Sequence, residues 1–221
     1  MSAQRRGRDG AAETPVTYGA IGGTQALDLL QYPPHGYKPM ERSVRIGSGA
    51  ERWETSKAAL MSWGVQRGAG LKVTNVDLGT GEQYAGIRYS DDGTPVGMRD
   101  VGGTESVYND EGEPLIANGM SAVLRTKVGP ITVDAPVRVV YVIDDPNRVG
   151  FAYGTLHGHP ASGEEAFILE HRDDDSVWLT VRSFSRPASF GWRLLAPVYA
   201  QVRKGITAKY LRALHPINAA D

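Results

Sequence analysis

The residues best suited to moving protons lie in one stretch of this chain, between Phe151 and Phe167. Tyr153, His157, His159, Glu164 and Glu165 stand there among the turn formers Gly158, Pro160 and Gly163. Successive side chains of a strand leave opposite faces. Tyr153, Thr155 and His157 therefore share a face if the stretch is a strand. His159 joins them if the strand runs that far, and Glu165 returns on the partner strand. Imidazole, carboxylate and phenol transfer protons near neutral pH once a cavity shifts their pKa values. His159, Glu165 and Tyr153 are accordingly the candidate catalytic residues, suited to isomerisation, cyclisation, dehydration or hydrolysis of a mostly apolar substrate. Arg138, Arg182 and Arg186 offer forked donors to a carboxylate or phosphate. Trp178 and Tyr199 offer aromatic surface to a planar ligand. A plainer reading makes Glu164, Glu165, Arg138 and Arg182 cross-strand ion pairs, with His159 a turn residue ahead of Pro160.

Other chemistries find less in the sequence. His157-Gly-His159 followed by Glu164 has the spacing of half a metal site with two imidazoles and a carboxylate. The later histidine that would complete it, after a Pro-x-Gly turn, is missing, so neither metal nor other cofactor is expected. Ser183 and Ser185 flank Phe184 with no Gly-x-Ser-x-Gly elbow. The glycine-rich run 19–23 ahead of Thr24 lacks the lysine of a phosphate loop and reads as a tight turn. With no cysteine in 221 residues there is no disulfide, thiolate metal site or cysteine nucleophile.

The elements that must position these residues follow from periodicity. Residues 1–15 read as a mobile polar tail and 16–221 as one domain. Thr24 is placed to cap a short helix ending before Pro33. A first strand over 40–46 leads to Ser48-Gly-Ala-Glu51, which has capping-box spacing. Trp53, Lys57, Leu60 and Met61 mark the stripe of the helix behind it, and Gly64 its end. Period-two patterning then predicts strands over 71–76, 121–128, 137–143, 149–156, 165–170 and 177–185. Within 77–117, Tyr89 to Val96 and Tyr108 to Leu115 are near-copies, each with the residues of a hairpin tip. They read as an inserted pair of hairpins, a lid or a dimer contact. A helical stretch from Pro187 to His215 carries Leu195, Val198, Tyr199, Val202, Ile206, Tyr210 and Leu214 on one stripe, with Pro197 and Gly205 expected to kink or divide it.

The resulting fold class is α+β: a curved antiparallel sheet wrapped around a long C-terminal helix, as in the helix-grip topology of Bet v 1-like and START-like proteins. A closer resemblance is carried by Thr17-Tyr-Gly-Ala-Ile-Gly-Gly-Thr24, Gly150-Phe-Ala-Tyr-Gly-Thr155, Gly158-His-Pro160, Gly163-Glu-Glu-Ala-Phe167 and Arg182-Ser-Phe-Ser-Arg-Pro187. In these, and in Arg138-Val-Val-Tyr-Val142, the chain resembles DUF1990, an uncharacterised family, which implies no activity. His157 stands where that pattern carries proline.

A net charge of −1 gives no field to draw the chain to nucleic acid or an anionic membrane. No apolar run is long enough to span a bilayer, and the basic N-terminus leads into no signal core, so a cytoplasmic protein is expected. The expected partner is a hydrophobic or aromatic small molecule held between sheet and C-terminal helix, either bound or turned over. A competing class is an interaction module acting through the hairpins, homodimerisation included.

Overall fold

The computed structural model describes residues 14–79, 88–89, 95–96, 108–109, 112, 114–189 and 196–215. The proposed tail, up to residue 13, and Trp192 lie outside them. The elements in chain order are β1 (Lys38–Ser48), α1 (Ala50–Met61), α2 (Gly64–Gly68), β2 (Lys72–Asp77), β3 (Arg88–Tyr89), β4 (Pro95–Val96), β5 (Ser121–Val128), β6 (Ile131–Asp145), β7 (Arg148–Thr155), β8 (Ala161–His171), β9 (Ser176–Pro187) and α3 (Ala196–Ala213).

Seven strands form one antiparallel sheet in the order β1-β9-β8-β7-β6-β5-β2. From β5 to β9 each strand pairs with the next, because Gly129-Pro130, Pro146-Asn147 and the acidic turn after His171 leave room only for hairpins. β1 closes on β9, and α1 and α2 carry the chain to the opposite edge. The near-copies each close on themselves in one register, Tyr89 opposite Pro95 and Tyr108 opposite Pro114. No helix among the described residues is long and apolar enough to cross a membrane.

Both faces of the sheet are covered. The inner face carries Phe151, Tyr153, Phe167, Leu169, Leu179 and Val181, packed against Trp53, Leu60 and Trp63 and against Tyr210 and Leu214. The outer face carries Val140, Tyr141, Ala152 and Ala166, which meet Val16 and Ile21 of the N-terminal segment. Tyr18 and Leu29 extend this cover onto Phe184. Central strands with two covered faces lose the alternation that an antiparallel strand shows when one face meets water. β8 is therefore buried almost without interruption from Ala161 to Leu169.

Several local expectations are corrected. Ser48 does not cap α1: its backbone is still paired to Ser176, so Gly49 takes the N-cap at φ 93° without a side-chain bond. Thr24 caps no helix: it lies inside a three-residue 3-10 turn, Gly23–Gln25, whose N-cap is Gly22, and its hydroxyl is engaged elsewhere. Gly64 begins α2 rather than ending α1, with Trp63 in the left-handed region at φ 64°. The last strand persists to Pro187, and α3 runs undivided from Ala196 to Ala213. Pro197 falls in its first turn, where a missing N–H has no helical acceptor to lose.

Candidate functional site

Glu165 lies on β8 directly opposite Tyr153 of β7 on one side and Ser183 of β9 on the other. The register places all three on the inner face. The Tyr153 hydroxyl donates to Glu165 Oε2 at 2.6 Å. That uses its one proton, so the 3.3 Å contact between the Tyr153 and Tyr210 hydroxyls has Tyr210 as donor. Tyr210 comes from α3 and meets Phe167 edge to face at 5.0 Å, while Trp63 stacks on Tyr153 at 6.3 Å. Glu165 is thus a part-buried carboxyl set in an aromatic wall, and its Oε1 takes no hydrogen bond from the described residues.

Burial pushes the Glu165 carboxyl above the usual range, held back by the Tyr153 hydrogen bond and the Arg203 charge. Burial, then the Glu165 charge, pushes Tyr153 well above an ordinary phenol. Tyr210 is pushed up likewise. Both tyrosines therefore remain protonated donors near neutral pH, beside a carboxyl whose pKa burial raises.

Arg203 approaches the same place from α3. Its Nη2 donates to Ser183 Oγ at 3.1 Å. The sequence stripe assigned this helix face to Val202, which is instead 38% exposed. The inward side is Arg203, Ile206, Thr207, Tyr210, Ala213 and Leu214, so the stripe holds at Ile206, Tyr210 and Leu214 and departs at Val202. A cation at the edge of an apolar stripe gives no signal of its direction in the sequence, which is why Arg203 is not among the candidate residues.

His159 stands apart. β7 ends at Thr155, and His157-Gly158 form a turn with the His159 N–H bonded to the Leu156 carbonyl at 3.1 Å. His159 Nδ1 lies 2.9 Å from the Ala161 nitrogen, whose N–H it accepts, and 3.1 Å from the Ala161 carbonyl oxygen. Burial lowers its pKa to about 4. It touches neither Tyr153 nor Glu165, and His157 is exposed at the turn. The structure therefore joins two of the three candidate catalytic residues and leaves the third as a turn lock.

Glu164 points the other way, into the N-terminal segment. Its Oε2 accepts the Tyr18 hydroxyl and the Gly22 N–H, both at 2.7 Å. Its Oε1 accepts the Thr24 N–H at 2.9 Å and the Thr24 hydroxyl, which in turn meets the Tyr141 hydroxyl at 2.7 Å. Burial raises its pKa, and all four donors oppose that rise. The glycine run is thus a cradle for an anion the chain itself supplies. Among the described residues no three acidic or histidine side chains gather as a metal site would require.

The residues singled out for ligand contact divide from the inner cluster. Arg182 pairs with Glu41 at 2.6 Å and donates to the Ala26 carbonyl. Buried Arg138 donates to the Thr14 carbonyl at 2.9 Å. Arg186 stacks on Tyr37, and Trp178 donates to Ser176 under the Arg172 guanidinium. All four belong to the outer face or its rim, where they hold the N-terminal segment or a hairpin. Tyr199 lies on α3, its side chain outside the described residues.

Known proteins resemble this chain as follows. The model of DUF1990, a domain of unknown function, matches residues 17–90 and 97–213. A UPF0548 protein of Deinococcus radiodurans is 40% identical over 77 residues, which is 35% of this chain and 39% of that protein. A UPF0548 protein of Arabidopsis thaliana is 29% identical over 153 residues, 66% of this chain and 57% of that one. The chain thus spans well under two thirds of either relative. Among solved structures, a hypothetical protein of Helicobacter pylori aligns at TM-score 0.46 and 9% identity, covering 87% of this chain and 94% of that one. A conserved protein of Geobacillus kaustophilus aligns at TM-score 0.37 and 14% identity, covering 80% and 93%. By the extent of the first match, the chain belongs to the DUF1990 family.

Proposed function

We propose that this DUF1990 member binds a largely apolar or aromatic small molecule between its sheet and α3, with the polar end of that molecule at Glu165. The observation that carries the reading is the unshared oxygen of Glu165, part-buried beside Tyr153 and Tyr210. That oxygen keeps some exposure and receives no donor from the described residues, so it can accept from the polar end of a ligand. Strand, two short helices, antiparallel strands and a long final helix follow one another as in the helix-grip proteins, and this order supports the same reading by analogy.

A second reading makes the site an acid–base enzyme acting on the same molecule. The 2.6 Å bond between Tyr153 and a carboxyl of raised pKa favours it, since such a pair suits proton transfer. His159, hydrogen-bonded in its own turn, has no part in this version.

The test is to purify the chain from a native-like host and identify bound compounds by denaturing extraction and mass spectrometry, for wild type and Glu165→Gln. A stoichiometric apolar compound in wild type, depleted at least tenfold in Glu165→Gln, supports the site. An empty wild-type protein that also fails to bind the apolar dye anilinonaphthalene sulfonate overturns it. Turnover of the recovered compound, lost in Tyr153→Phe with binding retained, would select the enzyme reading.

A further inference from the structure

We infer that the polar end of the ligand is zwitterionic, an amine cation directed at Glu165 beside an anionic oxygen directed at Arg203. This rests on the ligand-site reading above and names the chemistry of its polar pole.

The carrying geometry is the way two opposite charges flank one serine without meeting. Glu165 is the cross-strand partner of Ser183, and Arg203 donates to the Ser183 hydroxyl. Glu165 and Arg203 nevertheless form no ion pair with each other. Each is tethered: Glu165 by the Tyr153 hydroxyl, Arg203 by Ser183 and, at 3.4 Å, by the Lys38 carbonyl. Both tethers leave capacity unused. Glu165 keeps Oε1, and the hydrogen bonds of Arg203 all leave from Nη2, so Nε and Nη1 are free to donate.

The two charges together act as a filter. An anion approaching the guanidinium alone is repelled by Glu165, and a cation approaching the carboxylate alone is repelled by Arg203. These penalties grow as water is excluded, because screening falls with it. A group that carries both charges on neighbouring atoms satisfies both residues, and a carboxylate or phosphate suits the planar fork of arginine. Trp63, Phe167 and Tyr210 form the buried aromatic cluster immediately behind Tyr153 and Glu165. Two sources share this chemistry: an apolar α-amino acid, and a single-chain lipid with a phosphoethanolamine head.

Calorimetric titration of the full chain with matched probes tests the inference. The amino-acid arm compares L-phenylalanine with 3-phenylpropionate, which lacks the amine, and phenethylamine, which lacks the carboxylate. The lipid arm compares lysophosphatidylethanolamine with lysophosphatidylglycerol, both below their micellar concentrations. One zwitterion should bind at least tenfold more tightly than its singly charged counterparts, and the arm in which it does so names the source. Glu165→Gln should abolish the advantage over the probe without an amine. Should the amino-acid arm respond, Arg203→Gln should abolish the advantage over phenethylamine. Circular dichroism confirms that both variants are folded. Equal binding of a singly charged probe, or no binding of either zwitterion, overturns the inference. If an uncharged apolar compound co-purifies while both zwitterions fail, the inference falls and the ligand site stands; if nothing occupies the site, both fall.

Discussion

Glu164 and Glu165 are neighbours in the chain whose carboxylates leave opposite faces of the sheet. Glu164 receives four donors from Tyr18, Gly22 and Thr24, whereas Glu165 receives one, from Tyr153. The same side chain, shifted by one position, is an anchor on one face and an incompletely partnered group on the other. The two should respond differently to the same substitution.

Glu164→Gln places an amide N–H₂ where only donors converge. We expect a loss of about 2–4 kcal/mol in urea unfolding, the range for breaking a buried charged network. Proteolysis within residues 14–37 should accelerate in step. Glu165→Gln, by contrast, should stay within about 1 kcal/mol of wild type, since it removes a charge that burial already disfavours.

Gly154 is the outer-face partner of this anchor. A Cβ there would lie 2.5 Å from the Tyr18 hydroxyl oxygen and 2.7 Å from its ring. Gly154→Ala should therefore expel the Tyr18 ring and cost about 2–4 kcal/mol, comparable to a disrupted core contact. Gly205→Ala in α3 meets nothing within 4 Å and should raise stability by about 0.5–1 kcal/mol. Thermal unfolding of the two variants gives the contrast.

His159 sets a pH dependence of known sign. Its folded pKa of about 4 lies below the unfolded 6.5, so the unfolded chain binds the extra proton between those values. Stability should fall as pH drops from 6.5 towards 4, by up to about 3 kcal/mol at 1.36 kcal/mol per unit. His159→Asn, whose carbonyl can accept the Ala161 N–H, should flatten that slope in urea midpoints measured across the window.

Glu165 works in the opposite direction. Its folded pKa is raised above 4.5, so its contribution is greatest below 4.5 and declines as pH rises through the folded value. Tyr153→Phe removes a bond that favours the ionised form and should push the pKa higher still. Carbon-13 titration of the Glu165 carboxyl reads this directly, and an unchanged value would contradict the 2.6 Å hydrogen bond.

Substitutions on the two faces should separate binding from architecture. Trp178→Ala and Arg186→Ala should leave ligand affinity within about twofold of wild type, because neither side chain reaches the inner face. Tyr210→Phe should weaken it about fivefold, in keeping with the loss of one hydrogen bond. Equilibrium titration with the co-purified compound decides between them.

Much of the architecture was legible from the chain alone. Period-two patterning and turn residues located the strands of the meander, with β6 starting six and β8 four residues earlier than expected, since hydrophobic alternation and Gly-Pro or Asp-Pro turns act locally. The return of Glu165 on the strand beside Tyr153 was legible too, whereas their direct pairing came from the structure. What the pattern could not supply was the cover on the outer face. Val16, Tyr18 and Ile21 reach β6–β9 from more than a hundred residues away, and short periodic windows carry no trace of that contact.

The sequence by itself therefore determined the α+β class, the succession of strands along the chain and the adjacent pair Glu164 and Glu165 at the start of one of them. Only the tertiary structure decided what those glutamates are for. Glycines at 22 and 23 turn the chain so that its amides converge on Glu164, which makes that residue structural. α3 turns Arg203 rather than Val202 toward the sheet, which places an opposite charge near Glu165 with no ion pair between the two. The cause in both cases is convergence of distant segments on one atom. Local propensity and spacing set which residues can meet, whereas packing selects which of them do.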